Sequence, residues 1–171
     1  DNRLSKLTRI ETMTPMYYTL DVFTDDIFQG AQIAVFPNAE GLSEEKLGRI
    51  ANELNLSETV FIYPLDKNEN EFKVRIFSPM GEVDFAGHPI LAIANVLAET
   101  GQITLEGAYT SMLLKQNNQD VVANISMDDE GKRFVQFTLQ STPVVDRFTP
   151  PGSELANLLS IDERDIDHTQ Y

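Results

Sequence analysis

The chain is 171 residues long and carries 27 acidic against 13 basic side chains, a formal charge of −14. That balance excludes a phosphate-backbone binder and a polybasic membrane anchor, both of which need clustered positive charge. With no cysteine and two histidines, disulfide frameworks, thiolate zinc sites and cysteine nucleophiles are excluded, and a histidine-rich metal cage lacks ligands. What remains is an acidic globular domain, with room for the start of a second, whose chemistry rests on carboxylates, imidazole and backbone dipoles.

The chain opens on Asp1, with Met13 and Met16 as candidate native starts; residues 1–15, basic through Arg3, Lys6 and Arg9, read as an N-terminal arm. They lack the apolar core of a secretory signal, and the longest apolar run, residues 89–98, is about half the ~20 residues that cross a bilayer. A cytoplasmic protein is expected.

Residues 17–24 (YYTLDVFT) are β-branched and aromatic and predict a strand; Asp25 and Asp26 mark a turn, and residues 32–36 predict a second strand closed by Pro37. Ser43 is placed as an N-cap, with Glu44 and Glu45 in the first turn, where the helix dipole favours acids. Leu47, Ile50, Ala51 and Leu54 then fall at i, i+3, i+4, i+7, one buried stripe of an amphipathic helix. Residues 59–65 and 71–78 predict a hairpin. Pro89 suits a first helical turn and Gly101 the position just past a helix end, and the residues between them are apolar around nearly the whole circumference. Such a helix is enclosed, so sheet must curl around it. Strands follow at residues 109–115, 121–127 and 134–139, then a short helix at 154–159 and an aperiodic tail. A composition break at residues 116–120 places the domain boundary there: 16–116 as one unit and 117–171 as the beginning of another.

Two clusters could carry chemistry. Glu58, beside Ser57 and flanked by Leu56, Val60 and Phe61, is a carboxylate partly stripped of water, the setting of a general acid/base; it could equally point to solvent, with Ser57 capping a turn. Glu82, Asp84, Gly87, His88 and Pro89 stand at the mouth of the enclosed helix, whose unpaired N–H groups would receive a carboxylate. Gly87 would let backbone approach a ligand and His88 would offer a proton, although His88 could equally be a half-buried capping residue. Glu82 and Asp84 alternate, so at most one of them faces the mouth. No nucleotide, phosphate-loop, nucleophile-elbow or zinc signature occurs, and no role falls to His168.

The runs DVFTDDIFQGAQIAVF, NELNLSETVFI and VRIFSPMGEVDFAGHPILA resemble the N-terminal half of the PhzF-like family, the phenazine-biosynthesis isomerases. The resemblance covers residues 17–148. It implies an α+β, diaminopimelate-epimerase-like fold of two similar halves, each a strongly curved, mostly antiparallel sheet rolled around a central buried helix. It implies that Glu58 is the general acid/base moving a proton on a dihydro-hydroxyanthranilate-like small carboxylic acid, without metal or organic cofactor. Gly87 and His88 would bind and protonate that substrate, with Ser57, Asp84 and Pro89 as further substrate-binding candidates. Ala86 stands where related racemases carry a thiol.

The chain departs from the family pattern at Gly30-Ala31-Gln32, where relatives often read Gly-Asn-Pro, and at Ile90, where they often have threonine. Nothing after Thr142 matches the acid-and-serine motif of the family's second half. A C-terminal half, in the same protein or a second chain, is therefore the expected partner, and a homodimer the expected assembly. The alternative is a non-catalytic small-acid binding or interaction protein on the same fold, which Ala31 and Ile90 favour.

Overall fold

The computed structural model describes residues 15–65, 70–139 and 150–167. It falls into two units, Asp1–Leu139 and Gln140–Tyr171.

In the first unit the strands are β1 (Tyr18–Val22), β2 (Ala31–Phe36), β3 (Glu58–Pro64), β4 (Glu71–Ser78), β5 (Gly81–Val83), β6 (Thr110–Lys115), β7 (Asp120–Met127) and β8 (Arg133–Thr138). The helices are α1 (Glu44–Leu54) and α2 (Pro89–Glu99). All eight strands form one sheet in the order β1-β2-β3-β4-β6-β7-β8, with β5 added beside β4. Pairing is antiparallel except at β2–β3 and β4–β6. Each parallel step spans a helix: α1 connects β2 to β3, and α2 lies between β4 and β6, as a parallel crossover requires.

α2 is enclosed as its composition predicts. Ile90, Ala92, Ile93, Ala94, Val96 and Leu97 are all buried, and the helix packs against β1, β2, β3, β7 and β8. β1 and β8 are the two ends of the sheet path, so a helix touching both is wrapped by a strongly curled sheet. Its C-terminus closes as Gly101 predicts: Gly101 has φ 71°, its N–H donates to Ala98 O at 3.2 Å, and the N–H of Gln102 reaches Leu97 O at 2.9 Å. This is the Schellman pattern, which satisfies carbonyls that a helix end leaves orphaned.

The other face of the sheet is covered by α1. Leu47 and Ala51 pack onto Phe36, Phe61 and Phe77, and the rings stack in sequence, Phe36 on Phe61 at 4.9 Å and Phe61 edge-on to Phe77 at 5.6 Å. Ser43 occupies the N-cap position but makes no side-chain cap bond; its carbonyl accepts from Lys46 and Leu47 instead.

The expected boundary at residues 116/117 is corrected. It falls in the turn of the β6–β7 hairpin, whose strands pair from Thr110↔Ile125 to Lys115↔Asp120. Met112, Leu114, Val121, Ala123 and Ile125 belong to the same core as α2, so the first unit runs to Leu139. The polar Gln116-Asn117-Asn118-Gln119 run reads as a linker in sequence because a tight turn and a linker share a composition.

In the second unit α3 (Gly152–Leu159) occupies the predicted helical segment and ends at Ser160 in the left-handed conformation. A 3-10 turn (Glu163–Asp165) follows, where Asp162 accepts from Arg164 N at 3.0 Å. Among the described residues no helix is long and apolar enough to cross a membrane.

Candidate active site

Side-chain alternation along β3 decides where Glu58 points. Val60 and Ile62 join the α2 core while Phe61 packs under α1. A strand alternates its faces, so Glu58 projects to the α2 side. It is the first residue of β3, pairing in parallel with Ile33, and so stands at the open end of the curled sheet. Ser57 Oγ donates to Gln32 O at 3.3 Å, clipping the start of β3 to β2.

α2 enters at the same end. β4 delivers the chain to the Ser78–Gly81 turn, β5 returns along β4, and residues 84–88 lead into the helix. His88 is the N-cap residue and Pro89 is at N1. The two segments bring His88 Nε2 to 2.7 Å from Glu58 Oε2. The contact is one of proximity rather than of an aligned N–H···O bond. That oxygen is buried and, among the described residues, accepts no hydrogen bond. The side chains are 31% and 16% exposed, so the pair is sheltered but reachable.

The helix tip differs from the simplest expectation of a free N-terminus. Pro89 has no N–H, Ile90 N donates to Gly87 O at 3.1 Å, and Leu91 N donates to His88 O at 3.1 Å. The N–H groups of Gly87 and His88, one step earlier in the chain, make no hydrogen bond among the described residues. Pro89 itself is buried, as is Ile90, whose side chain lies in the α2 core rather than at the mouth.

The remaining candidates separate. Glu82 is held by Arg75, with Nε to Oε1 at 2.7 Å and Nη2 to Oε2 at 2.6 Å, and by Asn117 Nδ2 at 2.8 Å. These bonds, the arginine's first, hold its carboxyl below the usual glutamate range against the opposing effect of burial. Asp84 is exposed, and among the described residues no hydrogen bond or ion pair joins it to the Glu58–His88 pair. Two residues that periodicity shows only as apolar stand beside the pair. The Phe23 ring lies 6.5 Å from the His88 ring, and a methyl group on Gly87 would stand 3.1 Å from Phe137 Cζ. Neither carries a local sequence signal, because both arrive from the ends of the sheet. Phe23 does adopt a left-handed backbone, φ 63°, uncommon for a bulky residue and found mostly at turns and functional sites.

A cleft of about 700 Å³ lies beside this pair rather than on it. Leu20 to Asp25 line one wall, Gly131 to Val135 the other, and Leu91 and Asn95 of α2 the floor. Lys132 meets Asp25 across it at 2.8 Å.

A strongly curled sheet around one apolar helix is an epimerase-like fold, and the carboxylate and imidazole meeting at its open end mark the candidate site. The comparisons narrow this. The family model for phenazine biosynthesis-like proteins matches residues 20–170, and the chain belongs to that family. An uncharacterised isomerase of Pasteurella multocida is 35% identical over 155 residues, covering 90% of this chain and 50% of that protein. The trans-2,3-dihydro-3-hydroxyanthranilate isomerase of Pseudomonas aeruginosa is 32% identical over 143 residues, covering 83% of this chain and 48% of the enzyme. A crystal structure of a PhzF-family phenazine biosynthesis protein from Bacillus anthracis superposes with a TM-score of 0.71 at 26% identity, covering 88% of this chain and 48% of that one. The chain thus spans about half the length of the curated relatives it matches.

Proposed function

We propose that this chain forms one wall of the active cleft of an isomerase that moves a proton on a small carboxylic acid, with Glu58 as general acid/base. The observation that carries the reading is the Glu58 carboxylate: buried at one oxygen, without an aligned donor there, 2.7 Å from His88 Nε2 and still open to a ligand. A carboxylate sheltered from water against an imidazole nitrogen is placed as a group that exchanges a proton with a bound ligand.

The step balances without a redox partner. Glu58 takes a proton from a carbon next to the conjugated system, the electron pair delocalises toward the acid group, and the same proton returns at another carbon. His88 stays beside the carboxylate, steadies whichever charge develops and supplies or receives a proton from the substrate. The N–H groups of Gly87 and His88 take the substrate carboxylate. The substrate class, a dihydro-hydroxyanthranilate-like acid, is the one the Pseudomonas aeruginosa relative is named for. The facing wall would come from a C-terminal half.

The test is turnover of trans-2,3-dihydro-3-hydroxyanthranilate by the intact enzyme carrying Glu58→Gln. Loss of about 10²–10⁴ in kcat with an unchanged melting temperature supports the reading, as removal of a general acid/base predicts. Undiminished turnover contradicts it. A chain that binds the acid equally well with either residue, and never turns it over, is a binding protein.

A further inference from the structure

We propose that Phe137 is a positioning residue for the Glu58–His88 pair, its ring filling the space where a side chain at Gly87 would stand and so holding the Gly87–His88 turn in place. The inference goes beyond the acid/base reading above and depends on it only for its kinetic readout.

Phe137 stands on the inner face of β8, the last strand of the sheet path, and packs against the α2 core. Its cross-strand partner is Ala123, fully buried and too small to fill the space beside it. The ring therefore extends to Gly87, where an added methyl would lie 3.1 Å from Phe137 Cζ, 3.7 Å from its Cε2 and 3.8 Å from Phe85 Cζ. Gly87 does not have a positive φ among the described residues, so glycine is present for space rather than for backbone freedom. A side chain here would push the ring or the turn by a few tenths of an ångström. Gly87 O accepts from Ile90 N at 3.1 Å, so the residue whose open side faces the ring also begins α2. His88 follows Gly87 directly in the chain, so a shift at Gly87 is carried to it; its ring also lies 6.5 Å from that of Phe23, which comes from the opposite end of the sheet. The curl of the sheet is thereby transmitted to the 2.7 Å contact.

The experiment uses Gly87→Ala, Phe137→Leu and the double variant in the intact protein. Two readouts are taken: imidazole nitrogen resonances in long-range 1H–15N spectra, with His168 as the internal reference, and kcat against KM. Gly87→Ala is expected to displace the His88 resonances and lower kcat on the order of 10- to 100-fold with little change in KM, the scale of a misplaced catalytic group. The shorter Phe137→Leu side chain relieves the collision, so the double variant recovers most of both readouts. A double variant as impaired as Gly87→Ala alone overturns the proposal. So does a Phe137→Ala protein that melts lower while its His88 resonances stay in place, because that is a packing role only. Where Gly87→Ala does not fold, Phe137→Leu and Phe137→Ala are read by the same resonances. Should Glu58→Gln retain full turnover, the acid/base reading fails, yet the resonances still decide whether Phe137 positions His88.

Discussion

Arg75 grips Glu82 with two parallel bonds of 2.7 and 2.6 Å, and this pairing anchors the strand from which the His88 segment departs. Glu82 lies on β5 opposite Phe77, one diagonal step from Arg75, and the guanidinium lies 5.2 Å from the Phe77 ring. Glu44 at the start of α1 and Asn117 in the β6–β7 turn complete the cluster. Bonding to Glu82 first, then to Glu44, raises Arg75 still further above the ordinary arginine range.

Arg75→Ala is therefore expected to cost about 2–4 kcal/mol, because it strands a half-buried carboxylate rather than removing an exposed ion pair. Arg75→Lys recovers part of this, since a point charge cannot make the bidentate fork. Glu82 is lowered in the folded state, so its contribution is complete above the ordinary glutamate value, about 4.3, and fades as pH falls through the lower folded value. Denaturant melts at pH 7 and pH 3 check this. The deficit of Arg75→Ala should be large at pH 7 and smaller at pH 3.

Gly30→Ala tests the foundation of the β1–β2 loop. A methyl there would run into the Val22 carbonyl and stand 2.7 Å from Thr24 Cγ2, so backbone must move. The loop is otherwise pinned by Phe28 N donating to Asp21 Oδ2 at 2.9 Å and by Thr24 bonding to Asp26. The expected loss is about 1–3 kcal/mol, the range of overpacking. Gly41→Ala meets no atom within 4 Å but keeps a left-handed φ of 80°, so it should cost only the milder backbone strain of about 1 kcal/mol. Urea midpoints of the two variants should rank in that order.

Leu97→Ala removes a fully buried side chain from α2 and should cost about 2–5 kcal/mol, because the sheet wrapped around the helix cannot collapse into the cavity. Leu158→Ala on α3, where the side chain is 73% exposed, should stay within about 0.5 kcal/mol. Calorimetric unfolding of the two proteins makes the comparison. A similar cost at both positions would contradict the enclosed-helix architecture.

The parts of this site legible in sequence are those written in period and punctuation. The all-round apolar run between Pro89 and Gly101 announces an enclosed helix. The side on which Glu58 stands is not legible, because residues 60–62 are all apolar and only the two cores they enter separate the faces. The Arg75–Glu82 pair was readable in principle: a two-residue turn after Ser78 puts Glu82 on the diagonal of Arg75. Gly87 could not be explained from sequence, since the ring that excludes a side chain there comes from β8, at the far end of the sheet path. The polar run at residues 116–119 is ambiguous in sequence for a related reason. Whether a polar tetrapeptide separates units or turns a hairpin depends on strands β7 and β8 returning to the same core.

His88→Gln should lower kcat less than Glu58→Gln does, because a polar side chain remains beside the carboxylate and the proton carrier survives. Steady-state kinetics on the intact enzyme separate the two; equal losses would move the acid/base role onto the imidazole.

The most direct measurement is deuterium uptake from D2O into the isomerised product, followed by NMR. The wild-type enzyme should place solvent deuterium, or transfer the original hydrogen, at one defined carbon, and Glu58→Gln should abolish both processes while substrate still binds. Product formed with the same isotopic pattern in the absence of the Glu58 carboxylate would contradict the account.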